Sequence, residues 1–247
     1  MPKHKSVAIF DIDGTVFRSS LMLELIEALV AKGIFPKEAR SHYAGSWRRW
    51  QARQGSAKSG FSYYEFVSDF VAAYKKYIVG VRRADLWAVA GRVVAFHQVR
   101  LYRYTRDLIR RLDRTHFLLA ISHSPYEVVS PFAKSIGFDK VYAQVYEVDR
   151  RVRFTGRVLY EDVILDKAKV VHRALEKENL SLEASVGVGD TESDIPFLKL
   201  VDRPIAFNPS MQLYREAMRR GWEVIVERKD VIYQLTSHRL VKRESRR

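Results

Sequence analysis

The sequence predicts an α/β fold, with a doubly wound and mainly parallel sheet and an inserted all-helical cap domain. Two observations support this prediction. Short apolar runs alternate with helical patterns along most of the chain, as in sheets that carry helices on both faces. The first two predicted strands are separated by roughly ninety residues of helical pattern, too many for a simple crossover connection in a compact sheet.

The predicted strands are short apolar runs rich in β-branched residues, a composition typical of strands buried on both faces. The first, Ser6–Phe10, leads directly into Asp11-Ile12-Asp13-Gly14-Thr15. The others are 116–122, 185–190, 203–208 and 223–226. Residues 142–158 alternate in polarity around Asp149 and predict a β-hairpin flap.

The predicted helices of the sheet domain follow the 3.6-residue period, and Gly221 provides a stop signal for the last of them. They are 104–114, 125–136, 167–179, 192–200 and 210–220. Within the insertion, amphipathic patterns cover 21–32, 61–78 and 84–97, with a loop at 55–60. We therefore predict a core domain at 1–17 and 100–228, a helical cap at 18–99 and a basic tail at 229–247.

Composition limits the possible functions. The 247 residues include no cysteine, which excludes disulfides, zinc–thiolate sites and cysteine nucleophiles. No apolar run is long enough to cross a bilayer, and no signal-peptide pattern precedes the first strand, so we expect a cytoplasmic protein. The net charge of +14 favours anionic partners. Nucleic acid, anionic lipid and phosphorylated metabolites all fit, as does a merely solvated basic surface.

Acidic residues follow two of the predicted strands. Asp11 and Asp13 come after the first, and Asp190 and Asp194 come after the strand at 185–190. The carboxyl ends of parallel strands meet at one sheet edge, where open α/β sheets bind ligands. Capping of a helix by aspartates explains one such cluster but not two. Because converging carboxylates repel one another, the sequence predicts a hard cation such as Mg²⁺.

Two further residues gain their meaning from order along the chain. Ser122 ends the strand at 116–122, and alone it indicates a helix N-cap. Lys167 begins a predicted helix, and alone it indicates a solvated residue, with Lys169 as a close rival.

In this order, Asp11-Ile12-Asp13-Gly14-Thr15, Ser122, Lys167 and Gly189-Asp190 to Asp194 resemble the four motifs of the haloacid dehalogenase superfamily of phosphohydrolases. The resemblance covers residues 6 to about 227, and 187–226 is similar to members of subclass IB. A helical insertion directly after the first motif resembles the subgroup that contains phosphoserine phosphatase.

The resemblance implies a site and a mechanism. Asp11 would be the nucleophile, Asp13 the acid and base, and Asp190 a metal ligand, with Asp194 orienting Lys167 or a metal-bound water. Mg²⁺ would be held by Asp11, the backbone carbonyl of Asp13 and Asp190. The expected phosphate-binding residues are Gly14, Thr15, Ser122, His123 and Lys167.

The substrate implied by the resemblance is a small phosphorylated metabolite. Phosphoserine phosphatases pair a glutamate with the substrate amino group, and the corresponding residue here is Ser20. We therefore expect free phosphoserine to be a poor substrate, with Glu24, one helical turn on, as the residue most able to replace that contact.

Two alternatives remain open from sequence. A phosphotransferase or phosphomutase would need the same residues. A nucleic-acid or membrane-surface binding protein with a vestigial core also fits the charge, although the intact Asp11, Asp13 and Asp190 argue against it. The sequence does not specify the oligomeric state.

Overall fold

The computed structural model of the protein describes residues 5–52 and 63–235. Its centre is an eight-stranded sheet with the order β4-β3-β2-β1-β5-β6-β7-β8. The strands are β1 (Lys5–Asp11), β2 (His116–Pro125), β3 (Lys140–Val148), β4 (Phe154–Leu159), β5 (Leu180–Gly189), β6 (Arg203–Phe207), β7 (Glu223–Arg228) and β8 (Val231–Leu235).

Ten α-helices lie in the described part of the chain. They are α1 (Leu21–Ala31), α2 (Glu38–Ala52), α3 (Tyr63–Tyr77), α4 (Arg83–His97), α5 (Arg103–Leu112), α6 (Tyr126–Ser135), α7 (Glu161–Ile164), α8 (Lys167–Glu178), α9 (Ile195–Leu198) and α10 (Met211–Arg220). The first four form the helical insertion between β1 and the rest of the sheet domain.

Strand β1 lies in the middle of the sheet and is parallel to both neighbours, β2 and β5. Its Val7, Ala8, Ile9 and Phe10 are fully buried, because helices cover both faces. The chain winds from β1 outward through β2 and β3, then returns to β5 on the other side of β1. The switch point of the sheet therefore lies beside the carboxyl end of β1, where α/β sheets form their ligand crevice.

The helical insertion has its own apolar contacts and also packs on the sheet domain. Helix α1 buries one apolar stripe, which includes Leu25 and Leu29. Phe35 packs against Tyr74 of α3 with ring centroids 6.0 Å apart. Trp47 of α2 lies 4.9 Å from the Phe66 ring, so this tryptophan contributes to packing within the insertion.

The structure differs from the sequence prediction at four places. The predicted flap at 142–158 forms the antiparallel pair β3 and β4, but β3 also pairs with β2 and extends the main sheet. Strand β5 begins at Leu180, upstream of the predicted start, and continues through Ala184, whose φ is 57°. The predicted helix 192–200 is a 3₁₀ turn at Glu192–Asp194 followed by α9.

The fourth difference concerns the predicted tail. Residues 231–235 form β8, which pairs with β7, because alternating apolar residues there cover the edge of β7. The predicted loop at 55–60 and the segment 238–247 lie outside the described residues. The predicted α/β class with a helical insertion is confirmed, whereas the domain boundaries stay a prediction.

In the described ranges 5–52 and 63–235, the helices are all too short or too polar to cross a lipid bilayer.

Candidate active site

The candidate site lies at the carboxyl ends of β1, β2 and β5. Asp11 is the last residue of β1 and pairs in register with Ile121, next to Ser122 of β2. On the other side, β5 ends at Gly189, and Asp190 follows. Parallel register thus brings the predicted acids and Ser122 to one edge of the sheet, at its switch point.

The turn after β1 needs glycine for two reasons. Gly14 has a φ of +84°, a conformation that favours glycine. A Cβ on Gly14 would also lie 2.2 Å from Oδ2 of Asp190, so a side chain there would clash with the carboxylate. The next residue, Thr15, donates its hydroxyl to Asp190 Oδ1 at 3.2 Å. Gly14 and Thr15 of the first motif therefore pack closely against the carboxylate of Asp190.

Lys167 links two of the predicted acids. Asp166 caps α8 by accepting the Ala168 N–H at 3.0 Å, which places Lys167 at the first helical position. Its Nζ lies 2.6 Å from Asp11 Oδ1, and it also forms an ion pair with Asp194. Lys169 is exposed, so it is Lys167 that reaches the acidic cluster.

Asp194 holds the loop after β5. Its Oδ2 accepts the N–H groups of Asp190 and Thr191, both at 2.9 Å, while Oδ1 faces Lys167. Both oxygens are therefore engaged by the protein itself. Asp194 fits a positioning role for Asp190 and Lys167 better than that of a metal ligand.

The carboxylates of this cluster fit a cation. Asp11, Asp190 and Asp194 each offer an oxygen within 4.8 Å of the others. Among the described residues, Asp11 Oδ2 is buried without a hydrogen-bond partner. An unpaired buried carboxylate oxygen facing further acids is the environment that a hard oxygen-bound cation stabilises.

The charges of the site support the same interpretation. Burial raises the pKa of Asp11 to about 7, against the opposing effect of Lys167. Burial, with the nearby Asp11 and Asp194, raises the pKa of Asp190 as well. Burial alone would lower the pKa of Lys167, but its two carboxylate partners outweigh that effect and raise it. The raised pKa values mean that Lys167 alone does not stabilise all of these carboxylates in the ionised form, which a bound cation would do.

The carboxylate of Asp13 is oriented by hydrogen bonds from helix α1 of the insertion and from β2. Its Oδ1 accepts the Leu21 N–H at the start of α1 at 2.6 Å, and its Oδ2 accepts the Ser122 hydroxyl at 2.6 Å. Burial raises the pKa of Asp13, although these hydrogen bonds oppose the shift. A carboxyl group with a raised pKa suits proton transfer near neutral pH.

The two residues after Ser122 have other partners. The Ser124 N–H donates to Ser122 Oγ at 2.9 Å, and Ser124 Oγ accepts the Met22 N–H. His123 Nε2–H donates to the Ile164 carbonyl at 3.1 Å, and burial lowers its pKa to about 4. The ring of His123 thus bonds to the end of α7. Its backbone is the part of His123 that remains suited to binding an anion such as phosphate.

The two predicted substrate-selecting residues are engaged in structural contacts. Ser20 caps α1 by accepting the Leu23 N–H at 3.4 Å. Glu24 pairs with Arg100 at 2.9 Å and with His97 at 3.2 Å, which ties α1 to the end of α4. Neither residue has a free charge directed at the acidic cluster.

Sequence reasoning missed a buried polar cluster where the insertion meets the sheet domain. Glu127 of α6 is 1% exposed, and Arg83 of α4 is its ion-pair partner at 3.6 Å. The one available signal was a lone acid in the otherwise apolar first turn of α6, next to Val128 and Val129.

Taken together, the fold and the site define an α/β enzyme with a buried acidic centre at the switch point of its sheet. The sequence profile of the haloacid dehalogenase-like hydrolases matches residues 8–199, and the chain belongs to this family.

Two relatives illustrate the similarity. The chain is 34% identical over 108 residues to the "Inhibition of morphological differentiation protein" of Streptomyces azureus, a match that covers 44% of this chain and 39% of that relative. It is 22% identical over 234 residues to the histidinol-phosphatase of Neisseria meningitidis serogroup C, covering 90% of this chain and 98% of the relative.

Solved structures show the same fold. A protein of unknown function from Bordetella pertussis superposes with a TM-score of 0.70 at 23% identity, covering 90% of this chain and 98% of its own. A phospho-aspartyl intermediate analogue of phosphoserine phosphatase superposes with a TM-score of 0.58 at 20% identity, covering 92% and 96%. The predicted membership of the haloacid dehalogenase superfamily is confirmed by the sequence profile, and the solved structures confirm the predicted fold.

Proposed function

We propose that the protein is a Mg²⁺-dependent phosphomonoester hydrolase that acts through an aspartyl-phosphate on Asp11. One observation carries the proposal. Asp11 has one carboxylate oxygen held by Lys167 at 2.6 Å and the other buried without a partner in the described structure. Such a carboxylate is oriented by the lysine, whose charge opposes its protonation, and it has an oxygen available for bonding.

In the proposed reaction, Asp11 and Asp13 provide for each proton transfer and each change of bonding at phosphorus. An Asp11 oxygen attacks phosphorus, and the bond from phosphorus to the ester oxygen breaks as Asp13 gives that oxygen a proton. Asp13, now ionised, takes a proton from water, which attacks the same phosphorus and releases phosphate and Asp11. General acid–base catalysis of this kind contributes roughly 10²–10⁴-fold in rate.

The remaining polar groups would stabilise the transferred phosphoryl group. Lys167 and Ser122, which contact Asp11 and Asp13, would bind its oxygens, together with Gly14 and Thr15 beside Asp190. Asp11, Asp190 and the Asp13 backbone carbonyl would hold Mg²⁺, which would neutralise charge on the phosphoryl oxygens.

The substrate class is proposed from the relatives and from the contact of the helical insertion with Asp13. Relatives named histidinol-phosphatase and phosphoserine phosphatase act, by name, on small phosphorylated metabolites. The helical insertion packs over the site, which favours a small phosphomonoester over a polymer. A vestigial core would have lost or separated the reactive residues, whereas Asp11, Asp13, Lys167 and Asp190 lie together here. The proximity of these residues therefore argues against the vestigial-core alternative.

Replacing the nucleophile tests the proposal. Asp11→Asn should lower Mg²⁺-dependent release of phosphate from p-nitrophenyl phosphate by at least about 10³-fold, because an amide is a poor nucleophile. Rapid acid quenching should trap phosphate bound covalently to the wild type but not to this variant. The exposed Asp113 provides a matched control, and Asp113→Asn should keep wild-type turnover. Wild-type turnover in Asp11→Asn would contradict the proposal.

A further inference from the structure

A cavity of about 230 Å³ lies between the β3–β4 hairpin and helices α7 and α8. Its walls are mainly apolar, with Val145 of β3, Leu159 of β4 and Val170 of α8 among them. A cavity of about 150 Å³ in a protein interior holds one benzene ring, whereas pockets for drug-sized ligands start at about 300 Å³. The cavity therefore has room for the body of a one-ring or two-ring molecule and is too small for a nucleotide.

Two tyrosines make the cavity suited to a flat ring. Tyr142 of β3 and Tyr160, which directly follows β4, both line it. Tyr160 is 71% exposed, and its φ of 54° is a backbone conformation that a bulky side chain rarely adopts. An exposed ring adds little to the core, so packing within the protein does not explain this conformation. Aromatic rings stack on other flat apolar molecules, and a bound ligand would give the Tyr160 ring such a partner.

The rim of the cavity is positively charged, because Lys140, Arg173 and Lys177 line it. The charge of Lys140 is compensated by Glu178, which lies 2.6 Å away. In the part of the chain that the structure describes, Arg173 and Lys177 have no acidic partner. The Arg173 guanidinium lies 6.0 Å from the centroid of the Tyr160 ring, so its N–H donors lie beside that exposed ring. Since arginine binds a carboxylate through two parallel hydrogen bonds, the rim favours an anionic group.

The cavity is next to elements of the candidate active site but is not part of it. Ile164 lines the cavity, and its carbonyl oxygen is the group that accepts the His123 ring N–H at 3.1 Å. Val170 also lines it and belongs to α8, the helix that begins at Lys167. Neither Lys167 nor Asp11 lines the cavity. A ligand there would therefore contact α7 and α8 without entering the acidic centre.

We propose that this cavity is a second ligand site and that it binds a small aromatic carboxylic acid. The ring of the ligand lies against the apolar walls and Tyr160, and its carboxylate pairs with Arg173 and Lys177. An acid binds better than a neutral analogue, because a charge-assisted hydrogen bond is roughly twice as strong as a neutral one. The site is separate from the proposed hydrolase centre, so either proposal can fail while the other holds.

Indole-3-acetate and indole-3-acetamide form a matched pair for the test, because they differ only in a carboxylate in place of an amide. Calorimetry with the whole protein at neutral pH should show at least about tenfold tighter binding of the acid. Acetate, which has the charge but no ring, should bind too weakly to measure. Saturating inorganic phosphate with Mg²⁺ should leave the binding of indole-3-acetate unchanged, because the proposed phosphoryl site lies outside the cavity.

Three variants locate the bound acid. Arg173→Gln should weaken the binding of indole-3-acetate at least about tenfold and leave that of the amide within about twofold. Ala143→Leu fills part of the cavity and should weaken the binding of both compounds. Arg215→Gln is the matched control, because Arg215 is also an exposed helix arginine but lies on α10, which packs on β6 and β7. It should bind both compounds as the wild type does. Thermal unfolding of each protein identifies a variant that fails to fold.

Several results would overturn the proposal. One is absence of measurable binding of indole-3-acetate at millimolar concentration, and another is equal affinity for the acid and the amide. Displacement of the acid by phosphate would place it in the acidic centre instead of the cavity. Equal loss of affinity in Arg173→Gln and Arg215→Gln would show that the basic surface attracts the acid without a specific site. Binding of the acid that Ala143→Leu leaves unchanged would exclude the cavity as its position.

Discussion

At the scale of single residues, position within local structure decides which polar groups can act. Lys167 and Lys169 are both basic residues at the start of α8, and the sequence alone left them as rivals. The cap formed by Asp166 puts Lys167 at the first helical position, where its side chain is buried against Asp11. The sequence spacing could not show which lysine is buried, because the face of α8 that points inward depends on how the helix packs on the sheet.

Asp13 shows how one residue can serve both the fold and the chemistry. Asp13→Asn keeps an oxygen to accept the Leu21 N–H, so the variant should fold. It loses the acidic proton, which alkyl leaving groups need more than p-nitrophenolate does. We expect a roughly 10²–10⁴-fold loss on an alkyl phosphate and a clearly smaller loss on p-nitrophenyl phosphate.

Steady-state kinetics of both substrates would check this prediction. Asp13→Ala serves as comparison, since it also removes the acceptor for Leu21 at the start of α1 and should lower the melting temperature in addition. Equal losses on the two substrates in Asp13→Asn would contradict the assignment of Asp13 as the acid.

At the scale of helices and strands, the sequence predicted the buried elements well and the edges poorly. Strand β1 is apolar on both faces and lies in the centre of the sheet, so its sequence pattern predicts a buried strand without ambiguity. Strand β8 is an edge strand with exposed Val231 and Tyr233, and charged residues before it and basic residues after it favour a tail in the sequence. The pairing of β3 with β2 depends on long-range register, which no local pattern specifies.

The same limit applies to the site. The four motifs could be predicted because strand ends converge in any parallel sheet. The cluster of Glu127, Tyr74 and Arg83 could not, because its members come from three helices whose relative packing is a tertiary property.

His123 connects β2 to α7, and this contact should make stability depend on pH. The folded-state pKa is about 4, below the ordinary 6.5, because the ring is buried. Above pH 6.5 both states are neutral and the full stability is present. As pH falls toward 4, the unfolded chain binds a proton that folded His123 does not, and stability decreases. The expected loss at pH 5 is about 2 kcal/mol.

Urea unfolding of the wild type and of His123→Gln at pH 7 and pH 5 would isolate this loss, because the raised pKa of Asp11 acts in the opposite direction in both proteins. His123→Gln should reduce the difference between the two pH values by about that amount, since glutamine does not titrate. The exposed His172 gives the control, and His172→Gln should keep the wild-type difference. An unchanged difference in His123→Gln would show that other groups cause the pH dependence.

At the scale of the whole molecule, the net charge of +14 is compatible with more than one function. The described site accounts for only a few of the basic residues, of which Lys167 is buried in it. Some of the others pair with acids at the surface, as Arg203 does with Glu223. Charge alone therefore supports attraction of anionic substrates but does not identify a polymeric partner.

Removing part of the basic C-terminal segment separates these possibilities. Deletion of 238–247 removes five Lys and Arg residues and one Glu. If the protein is a hydrolase of small phosphomonoesters, kcat and KM on such a substrate should stay within about twofold of the wild type, because the site is built from 11–194. A large loss of turnover would show that the segment takes part in the site. Loss confined to binding of anionic vesicles or nucleic acid would support the surface-binding alternative.

A longer deletion provides the structural comparison. Removing 231–247 also takes away β8, whose register with β7 runs from Val231 opposite Arg228 to Leu235 opposite Val224. The backbone of β7 would then become an open edge next to the buried Val224 and Ile225. We expect this protein to melt at least several degrees lower and to aggregate on heating, whereas the 238–247 deletion should melt as the wild type does. Equal melting temperatures for the two deletions would show that β8 contributes little to the sheet.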